Sequence, residues 1–398
     1  MRFRFARTFA VASAVFLAGV SFASRTGPWT KERAWEWYGR LPWLRGCNFM
    51  GSDCVNRVDQ WQALGFEKRF ETADRELALA ASIGYNTVRL LVEQQGFVVW
   101  MAEHDGFMER FERTIALCAK HGIRPMIVLA NDCMRPKSIW QLQRVGPQTY
   151  DWGYHGGRKL SQHGSFPNEM GYSVLDDPAL SEKFYAMCRE LMTKYRDDGR
   201  IILWNLFNEP GNSRRWHVSV PHLQRLFRMG WEIDPIQPLA ADLWSTMGKD
   251  PEKPAEKVAG ELSDVISYHC YGNYESQVRV IASLKRRYGR PLFNTEWLHR
   301  INHNDVQSAY PLFYLEKVAC YNWGFVAGLY QTYEPWESLW RQLDEGKGDE
   351  LDFTKWQHDL FRPSLRPYDP KEIATIKRFN KLADDDFAAA GQTASAEK

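Results

Sequence analysis

The chain alternates short apolar, β-prone runs with stretches of helical periodicity, and this alternation constrains its fold more than any other feature. The predicted strands are residues 43–49, 85–92, 124–130, 202–209, 238–244, 265–270, 291–297 and 325–331. Between them, apolar residues recur at helical spacing, for example at Phe107, Phe111, Ile115 and Cys118. Eight strands alternating with helices predict an α/β fold, a single (β/α)8 TIM barrel whose active site lies at the carboxyl ends of the strands.

Two long segments without periodicity are predicted to be loops on the catalytic face, one after strand 3 (134–173) and one after strand 8 (332–369). The length also allows two average domains, but no change in composition divides the chain. Residues 24–387 are therefore predicted to form one barrel. The small, polar residues 388–398 are predicted to be a disordered tail.

Residues 1–23 have the features of a secretory signal peptide. The basic start contains Arg2, Arg4 and Arg7. The apolar run 8–20 follows, and Ser21-Phe22-Ala23 places small residues at the −3 and −1 positions of a cleavage site. An uncleaved membrane anchor is the alternative, but the run is short for a full span. We therefore expect an exported protein, periplasmic or secreted.

The charge and the cysteines exclude several classes of function. Loss of the leader removes three arginines from 51 basic residues, which leaves 48 against 49 acidic residues and a net charge of −1. Such a chain has no basic field for nucleic acid and none for membrane adhesion. The seven cysteines contain no CxxC motif, so we predict neither a zinc site nor any other metal or cofactor. Cys47 and Cys54 can pair in an oxidising compartment or remain free.

Two predicted strands end in glutamate, in Asn208-Glu209-Pro210 and in Thr295-Glu296-Trp297. Hydrolysis of a glycosidic bond needs one carboxyl group to protonate the leaving oxygen and another to attack or to activate water. The 87 residues between the two glutamates fit three strand–helix units of about 30 residues each. Asn-Glu-Pro alone is also an ordinary strand-to-loop turn, but the matched strand ends favour a catalytic pair. Asn208 can then bind the 2-hydroxyl of the sugar.

With these motifs the sequence resembles glycoside hydrolase family 5 of clan A, the group of cellulases, mannanases and related β-glycanases. The resemblance covers residues 43–340. The other matching motifs are Arg45-Gly46-Cys47-Asn48-Phe49, Gly84-Tyr85-Asn86-Thr87-Val88-Arg89, His121-Gly122-Ile123-Arg124-Pro125 and Ser267-Tyr268-His269-Cys270-Tyr271. The resemblance implies that Glu209 is the acid/base, that Glu296 is the nucleophile, and that configuration is retained.

The same resemblance implies roles for the residues around the pair. Arg89 would keep Glu296 ionised, although a structural ion pair in the barrel is the alternative. His269 and Tyr271 match a His-x-Tyr motif in which the tyrosine bonds the nucleophile and the histidine bonds the acid/base or the substrate; a hydrogen-bonded core histidine is the alternative. Trp297, next to Glu296, is counted among the substrate-binding residues.

Two further positions are predicted to contact sugar, and two segments depart from the family pattern. The family's aromatic platform at the eighth strand corresponds to Tyr333 or Trp336, with Trp336 preferred. Asp132 lies where the family places sugar-binding polar residues, but it can equally cap a loop. The loop 134–173 and Glu93-Gln94-Gln95 do not follow the family, and both are expected to shape the sugar subsites. The sugar and the linkage are therefore not fixed by the sequence.

The leading hypothesis is a retaining glycoside hydrolase that cleaves β-linked glucan-, mannan- or xylan-type oligo- or polysaccharides by double displacement. A catalytically inactive, carbohydrate-binding barrel is the alternative. A metal-dependent hydrolase would need His-x-His or clustered His and Asp at strand ends, and the sequence has neither. For the leading hypothesis we expect a raised pKa at Glu209, the acid, and an ionised Glu296 beside Arg89.

Overall fold

A computed structural model of the chain describes residues 25–138, 143–149, 155–157, 169–250 and 252–396. The predicted signal peptide and parts of the predicted loop 134–173 lie outside these ranges. None of the helices described is long and apolar enough to cross a membrane. All seven cysteines fall within the described residues and are free, so Cys47 and Cys54 do not form a disulfide there.

Eight parallel strands close into a barrel in chain order, and β8 pairs with β1 to complete the ring. The strands are β1 (Arg45–Asn48), β2 (Thr87–Leu91), β3 (Arg124–Asn131), β4 (Leu203–Asn208), β5 (Leu239–Leu243), β6 (Ile266–His269), β7 (Leu292–Trp297) and β8 (Ala319–Asn322). The predicted TIM barrel is confirmed. The first seven strands fall within, or within one residue of, the predicted runs.

The prediction of the eighth strand is wrong. Residues 325–331 are apolar, but their main-chain groups bond to loops: Ala327 N–H donates to Phe361 and Leu329 N–H donates to Ser52. The chain turns away from the barrel at Gly324, whose φ is +75° and where a Cβ would lie 2.6 Å from Asp359 Oδ1. The strand lies before this turn, at Ala319–Asn322.

Helices surround the barrel and form most of its outer layer. They are α1 (Lys31–Gly39), α2 (Arg57–Trp61), α3 (Phe66–Ser82), α4 (Glu93–Ala102), α5 (His104–Lys120), α6 (Pro178–Lys194), α7 (Val220–Ile233), α8 (Pro254–Leu262), α9 (Tyr274–Tyr288), α10 (Val306–Leu315), α11 (Glu337–Asp344) and α12 (Pro370–Ala396). The predicted apolar stripe of α5 is buried against the strands. Side-chain caps fix several helix starts, as Asp177 does before Pro178.

The core has two parts. The larger lies between the strands and the surrounding helices. The smaller fills the amino-terminal end of the barrel, where Trp29 and Tyr38 pack against Met126, Leu203 and Phe293 from the strands. Because this end is plugged by apolar side chains, polar groups gather at the opposite, carboxyl end.

The carboxyl-terminal residues differ from the prediction. Helix α12 continues to Ala396, through most of the segment 388–398 that the composition predicts to be disordered. The sequence Phe387-Ala-Ala-Ala explains the difference, because alanine has the highest intrinsic helix propensity and extends a helix that packing has already nucleated.

Arg300, just after β7, ties the long segment after β8 to the barrel. Its buried guanidinium donates to both carboxylate oxygens of Glu372 on α12, at 2.7 and 2.6 Å. It also donates to the main-chain oxygens of His358 and Asp359. One side chain therefore joins the end of β7, the segment after α11, and α12.

Removal of one charge from this buried pair should destabilise the protein strongly. In Glu372→Gln the guanidinium of Arg300 would stay buried without its counter-charge, so the free energy of unfolding should fall by about 3 kcal/mol. Urea denaturation followed by circular dichroism measures the change. The matched control is Asp385→Asn on the same helix, which breaks an exposed pair with Lys381 and should cost less than about 0.5 kcal/mol. Equal losses in the two variants would contradict the role of Arg300.

Candidate active site

The two strand-end glutamates meet at the carboxyl end of the barrel. Glu209 directly follows β4, Glu296 lies in β7, and both side chains are buried. One oxygen of each carboxylate and one ring nitrogen of His269 all lie within 4.8 Å of one another. The structure thus brings together the three titratable groups that the sequence places at the ends of strands 4, 6 and 7.

The backbone at Glu209 is held in an unusual conformation. Its φ is +47°, in the left-handed region that costs a non-glycine residue about 1 kcal/mol or more. Asp132 fixes the turn that follows, because its carboxylate accepts hydrogen bonds from Gly211 N–H at 2.7 Å and from Arg215 at 2.6 Å. Asp132 is fully buried and does not line the cavity. The predicted sugar contact is therefore wrong, and the alternative of a loop anchor describes Asp132.

Glu296 is oriented by a donor on each oxygen. Arg89 Nη1 donates to Oε1 at 2.9 Å, and the Tyr271 hydroxyl donates to Oε2 at 2.8 Å. Burial raises the pKa of Glu296, and the positive charges of His269 and Arg89 oppose that rise. Arg89 and Tyr271 thus stand where the sequence places them, against the carboxylate of Glu296.

Glu209 has different partners. His269 Nδ1 lies 2.7 Å from its Oε1, and Asn212 Nδ2 donates to its Oε2. Burial raises the pKa of Glu209, but the hydrogen bond and the charge of His269 outweigh burial and lower it. The expected raised pKa at Glu209 is therefore wrong.

The proton of this site is carried by His269. Burial lowers the pKa of its imidazole, but the carboxylates of Glu296 and Asp242 prevail and raise that pKa to about 10. At neutral pH the imidazolium proton therefore lies one hydrogen bond from Glu209. The sequence identified His269 but did not fix its partner, which decides where the proton resides.

Asp242 is a member of the site that the sequence analysis missed. It is fully buried on β5 and accepts hydrogen bonds from Arg89 Nη2 and Asn205 Nδ2, each at 2.7 Å. The same carboxylate lies 3.4 Å from His269 Nε2. Arg89 and His269 together hold the pKa of Asp242 below its usual range against the effect of burial. The signal in the sequence is a lone acid in the apolar run Leu239–Leu243.

Asn208 completes the arrangement around Arg89. Its Oδ1 accepts from Arg89 Nη2 at 2.6 Å, and its Nδ2 donates to Asn131 Oδ1 at 2.8 Å. The side chain lines the cavity. Its amide is therefore held in one orientation beside Glu209, where the sequence predicts a contact with the sugar.

A cavity of about 510 Å³ lies over the carboxylates, in the range of small-molecule sites. Among the described residues, the indoles of Trp244, Trp323 and Trp336 line it. Trp336 packs edge to face on Tyr271, with ring centroids 5.3 Å apart. Trp323 was missed, because it directly follows β8 and the strand was predicted too late in the chain. Tyr333 does not line the cavity and packs against Trp356 instead, with ring centroids 5.2 Å apart.

Two other sequence predictions about the cavity are wrong. Trp297 is fully buried behind β7, packed against Tyr310 and Phe313, so it supports the core and does not bind substrate. Gln94 and Gln95 are buried in the first turn of α4, where they accept main-chain N–H bonds from Val174 and Arg57. They bond to the start of α2 and to the segment before α6, and neither lines the cavity. Of the loop 134–173, His155 lines the cavity beside Trp323.

Within the described ranges, only one group of side chains has the spacing to hold a metal ion, and it is Glu209, His269 and Glu296 themselves. Their ligand atoms already have hydrogen-bond partners: Glu296 accepts from Arg89 and Tyr271, and Glu209 contacts His269. A guanidinium and an imidazolium next to a divalent cation would repel it. The arrangement suits two carboxylates and a proton better than a metal.

Comparison with known proteins gives structural matches alone, because no family model and no curated protein matches the sequence. An exo-β-1,4-mannosidase from an Opitutaceae bacterium has a TM-score of 0.55 at 16% identity, over 86% of this chain and 60% of that chain. This chain thus spans less than two thirds of that relative.

Two further solved structures are similar over more of their own length. GH5_18 from Streptomyces cattleya, in complex with Manβ1-4GlcNAc, has a TM-score of 0.57 at 12% identity, over 86% of this chain and 81% of that one. A glycoside hydrolase family 5 mannosidase from Rhizomucor miehei, in complex with mannosyl-fructose, has a TM-score of 0.54 at 13% identity, over 88% and 95%. The chain therefore has the barrel fold of the family 5 hydrolases.

The proton on His269 can be tested without a substrate. In the wild type, NMR of the histidine rings should show His269 still protonated at pH 8. In Asp242→Asn the loss of one negative charge should lower the pKa of His269 by about one unit or more. The control Ser267→Ala removes a hydrogen-bond donor to Asp242 but no charge, so it should leave the pKa of His269 unchanged. An unchanged titration in Asp242→Asn would refute the electrostatic account.

The raised pKa of His269 also affects the stability of the folded protein. The pKa of His269 is higher in the folded protein than in the unfolded chain, so protonation of His269 stabilises the fold. This contribution to the free energy of unfolding is complete below about pH 6.5 and is lost as the pH rises towards 10. The wild type should therefore lose stability over this alkaline range. The Asp242→Asn variant should lose less stability over the same alkaline range. Urea titrations at several pH values measure the difference.

Proposed function

We propose that this protein is a retaining β-glycoside hydrolase. The observation that carries the proposal is the pair of buried carboxylates, Glu209 and Glu296, beneath an indole-lined cavity, with one oxygen of each within 4.8 Å of the other. Retaining glycosidases place their carboxyl groups about 5 Å apart, whereas inverting enzymes leave about 6.5–9.5 Å for a water molecule. The short separation supports direct attack by one carboxylate.

In the proposed first step, Glu296 attacks the anomeric carbon of the sugar. The bond from that carbon to the leaving oxygen breaks, Glu209 supplies a proton to that oxygen, and a glycosyl ester of Glu296 forms. Arg89 and Tyr271 hold the attacking carboxylate in one orientation, which lowers the entropic cost of reaching the transition state. In the second step Glu209 takes a proton from water, the oxygen of that water attacks the anomeric carbon, and Glu296 is released.

His269 has a defined part in this mechanism. Glu209 must carry a proton when the leaving oxygen departs, and before that step the proton is on His269. The Nδ1–Oε1 hydrogen bond of 2.7 Å is the route by which it reaches Glu209. As Glu296 loses its negative charge to the ester, the imidazole loses one of the carboxylates that raise its pKa, which favours transfer of the proton.

The proposed substrates are short β-linked oligosaccharides of glucan, mannan or xylan type. The indoles of Trp244, Trp323 and Trp336 offer the apolar faces on which sugar rings stack. The three solved structures described above are named for mannosidase activity or hold a mannose-containing ligand, so β-1,4-mannosides are the first substrates to test. The composition of residues 1–23 supports the further proposal that the enzyme is exported and meets its glycan outside the cytoplasm.

One observation favours the second candidate, a barrel that binds carbohydrate without cleaving it. The lowered pKa of Glu209 leaves the acid without a proton until His269 supplies one. If substrate binding did not move the proton from His269 to Glu209, the site would bind sugars without cleaving them.

Substitution of each glutamate separates the two candidates. On a β-disaccharide, Glu209→Gln and Glu296→Gln should each lower kcat/KM by about three orders of magnitude. On an aryl β-glycoside with a good leaving group, Glu209→Gln should lose less, because that oxygen needs no proton. Azide should restore turnover to Glu296→Ala and yield the α-glycosyl azide.

The control is Glu71→Gln, an exposed glutamate on α3, which should retain full activity. Circular dichroism checks that every variant is folded. A wild type that binds β-disaccharides but cleaves none would favour the binding barrel, and full activity in Glu296→Ala would rule out the proposed mechanism.

A further inference from the structure

The side of the cavity next to Glu209 carries positive charge. We define this side, the leaving-group flank, by Trp244, Met247, Lys249 and Arg279, all of which line the cavity. Trp244 follows β5, and its indole N–H donates to the carbonyl of Pro210, the residue after Glu209, at 3.2 Å. Since the acid protonates the leaving oxygen, the departing part of the substrate lies on this flank.

Both cations of the flank line the cavity together with Cys270, the residue that follows β6. Burial raises the pKa of the Cys270 thiol, and the charges of Lys249 and Arg279 act against that rise. Cys270 directly follows His269, the partner of Glu209. The two exposed cations therefore line the same cavity as Glu209 and His269.

Neither cation is neutralised by a carboxylate in the part of the chain that the structure describes. Arg279 donates to Ser276 Oγ at 3.0 Å, and Lys249 has no side-chain hydrogen bond or ion pair among those residues. The acids nearest to Lys249 along the chain, Asp250 and Glu252, are both paired with Arg287. The acid nearest to Arg279 is Glu275 on the same helix, and the two form no ion pair among the described residues. The positive charge of the flank is therefore available to a ligand.

A third cation reinforces the field. The ammonium group of Lys253 lies 4.8 Å from the ring centroid of Trp244 and 4.4 Å from that of Trp216. Among the described residues that line the cavity, Glu337 on α11 is the one acid besides the catalytic pair. Its Oε1 lies 3.4 Å from Nη2 of Arg341. Because the whole chain is nearly neutral, this clustering is local and is not a by-product of net charge.

We propose that the leaving-group flank is a subsite for an anionic group, so that the preferred substrate is a β-glycoside whose leaving sugar carries a carboxylate or a sulfate ester. This inference rests on the proposed hydrolase activity. Lys249 and Arg279 bind the anion, while the sugar ring contacts Trp244. Exposed charges at the rim of a site act mainly on encounter and on binding, so the preference appears chiefly in KM.

The test compares substrates that differ only in the charge of the leaving sugar. Disaccharides with one glycone, β-linked to glucose, to glucuronate or to glucose 6-sulfate, are assayed at low and at high salt. At low salt, kcat/KM should be about tenfold higher for the acidic substrates than for the neutral one. The advantage should shrink at 1 M NaCl, where the Debye length is about 3 Å. The glucuronate and sulfate arms distinguish the two sources of charge.

Variants assign the effect to the flank. Lys249→Met and Arg279→Met should each lower the ratio of acidic to neutral kcat/KM by about threefold to fivefold, in line with exposed ion pairs. The matched control is Arg286→Met, an exposed cation on the same helix, α9, about 10 Å further from the catalytic face. It should leave the ratio unchanged.

Two outcomes would overturn the inference while the hydrolase activity stands: equal kcat/KM for neutral and acidic substrates, or the same fall in the ratio for Arg286→Met. If the wild type cleaves no disaccharide, the proposed function fails instead. The anionic subsite is then tested by calorimetry, which measures the affinity of the wild type for the same disaccharides. Tighter binding of the acidic sugars, weakened in Arg279→Met, would support it, and equal binding would refute it.

Discussion

The buried guanidinium of Arg89 is the interaction on which the rest of the site depends. It donates to Asn48 on β1, Asn208 on β4, Asp242 on β5 and Glu296 on β7, with distances of 2.6 to 2.9 Å. A buried charge is tolerated only when it is paired and hydrogen-bonded, so these partners are obligatory for the barrel as well as for chemistry. Four strand ends are thereby fixed relative to one another around a single side chain.

The charges beside Arg89 decide where the proton lies. Three carboxylates, from Glu209, Asp242 and Glu296, surround one imidazole, and at these distances their attraction for its proton outweighs the cost of burying a cation. His269 therefore carries the proton at neutral pH. The acid of the proposed mechanism is in this view a pair, Glu209 with His269, and the charge on Glu296 controls the distribution of the proton between them.

Patterns along the chain predicted the barrel, seven of its strands and the glutamates at two strand ends, because each depends on local periodicity. The eighth strand was predicted at the wrong place because residues 325–331 are apolar without belonging to the barrel. They follow the turn at Gly324, and their main chain bonds to other loops. Trp323 was missed with it. Asp242 and Trp297 show the limit of the method, since only the closed barrel reveals that the first points inward to Arg89 and the second outward to the helices.

The central claim is that Glu296 attacks the sugar and forms a covalent ester. Incubation with 2-deoxy-2-fluoro β-glycosyl fluorides of manno and gluco configuration, followed by mass spectrometry, tests it directly, because the fluorine at C2 slows both steps while fluoride keeps the first one accessible. The account predicts addition of one fluorosugar per chain, on the peptide that contains Glu296. Attachment at any other residue, or hydrolysis of β-glycosides with no trapped adduct, would contradict it.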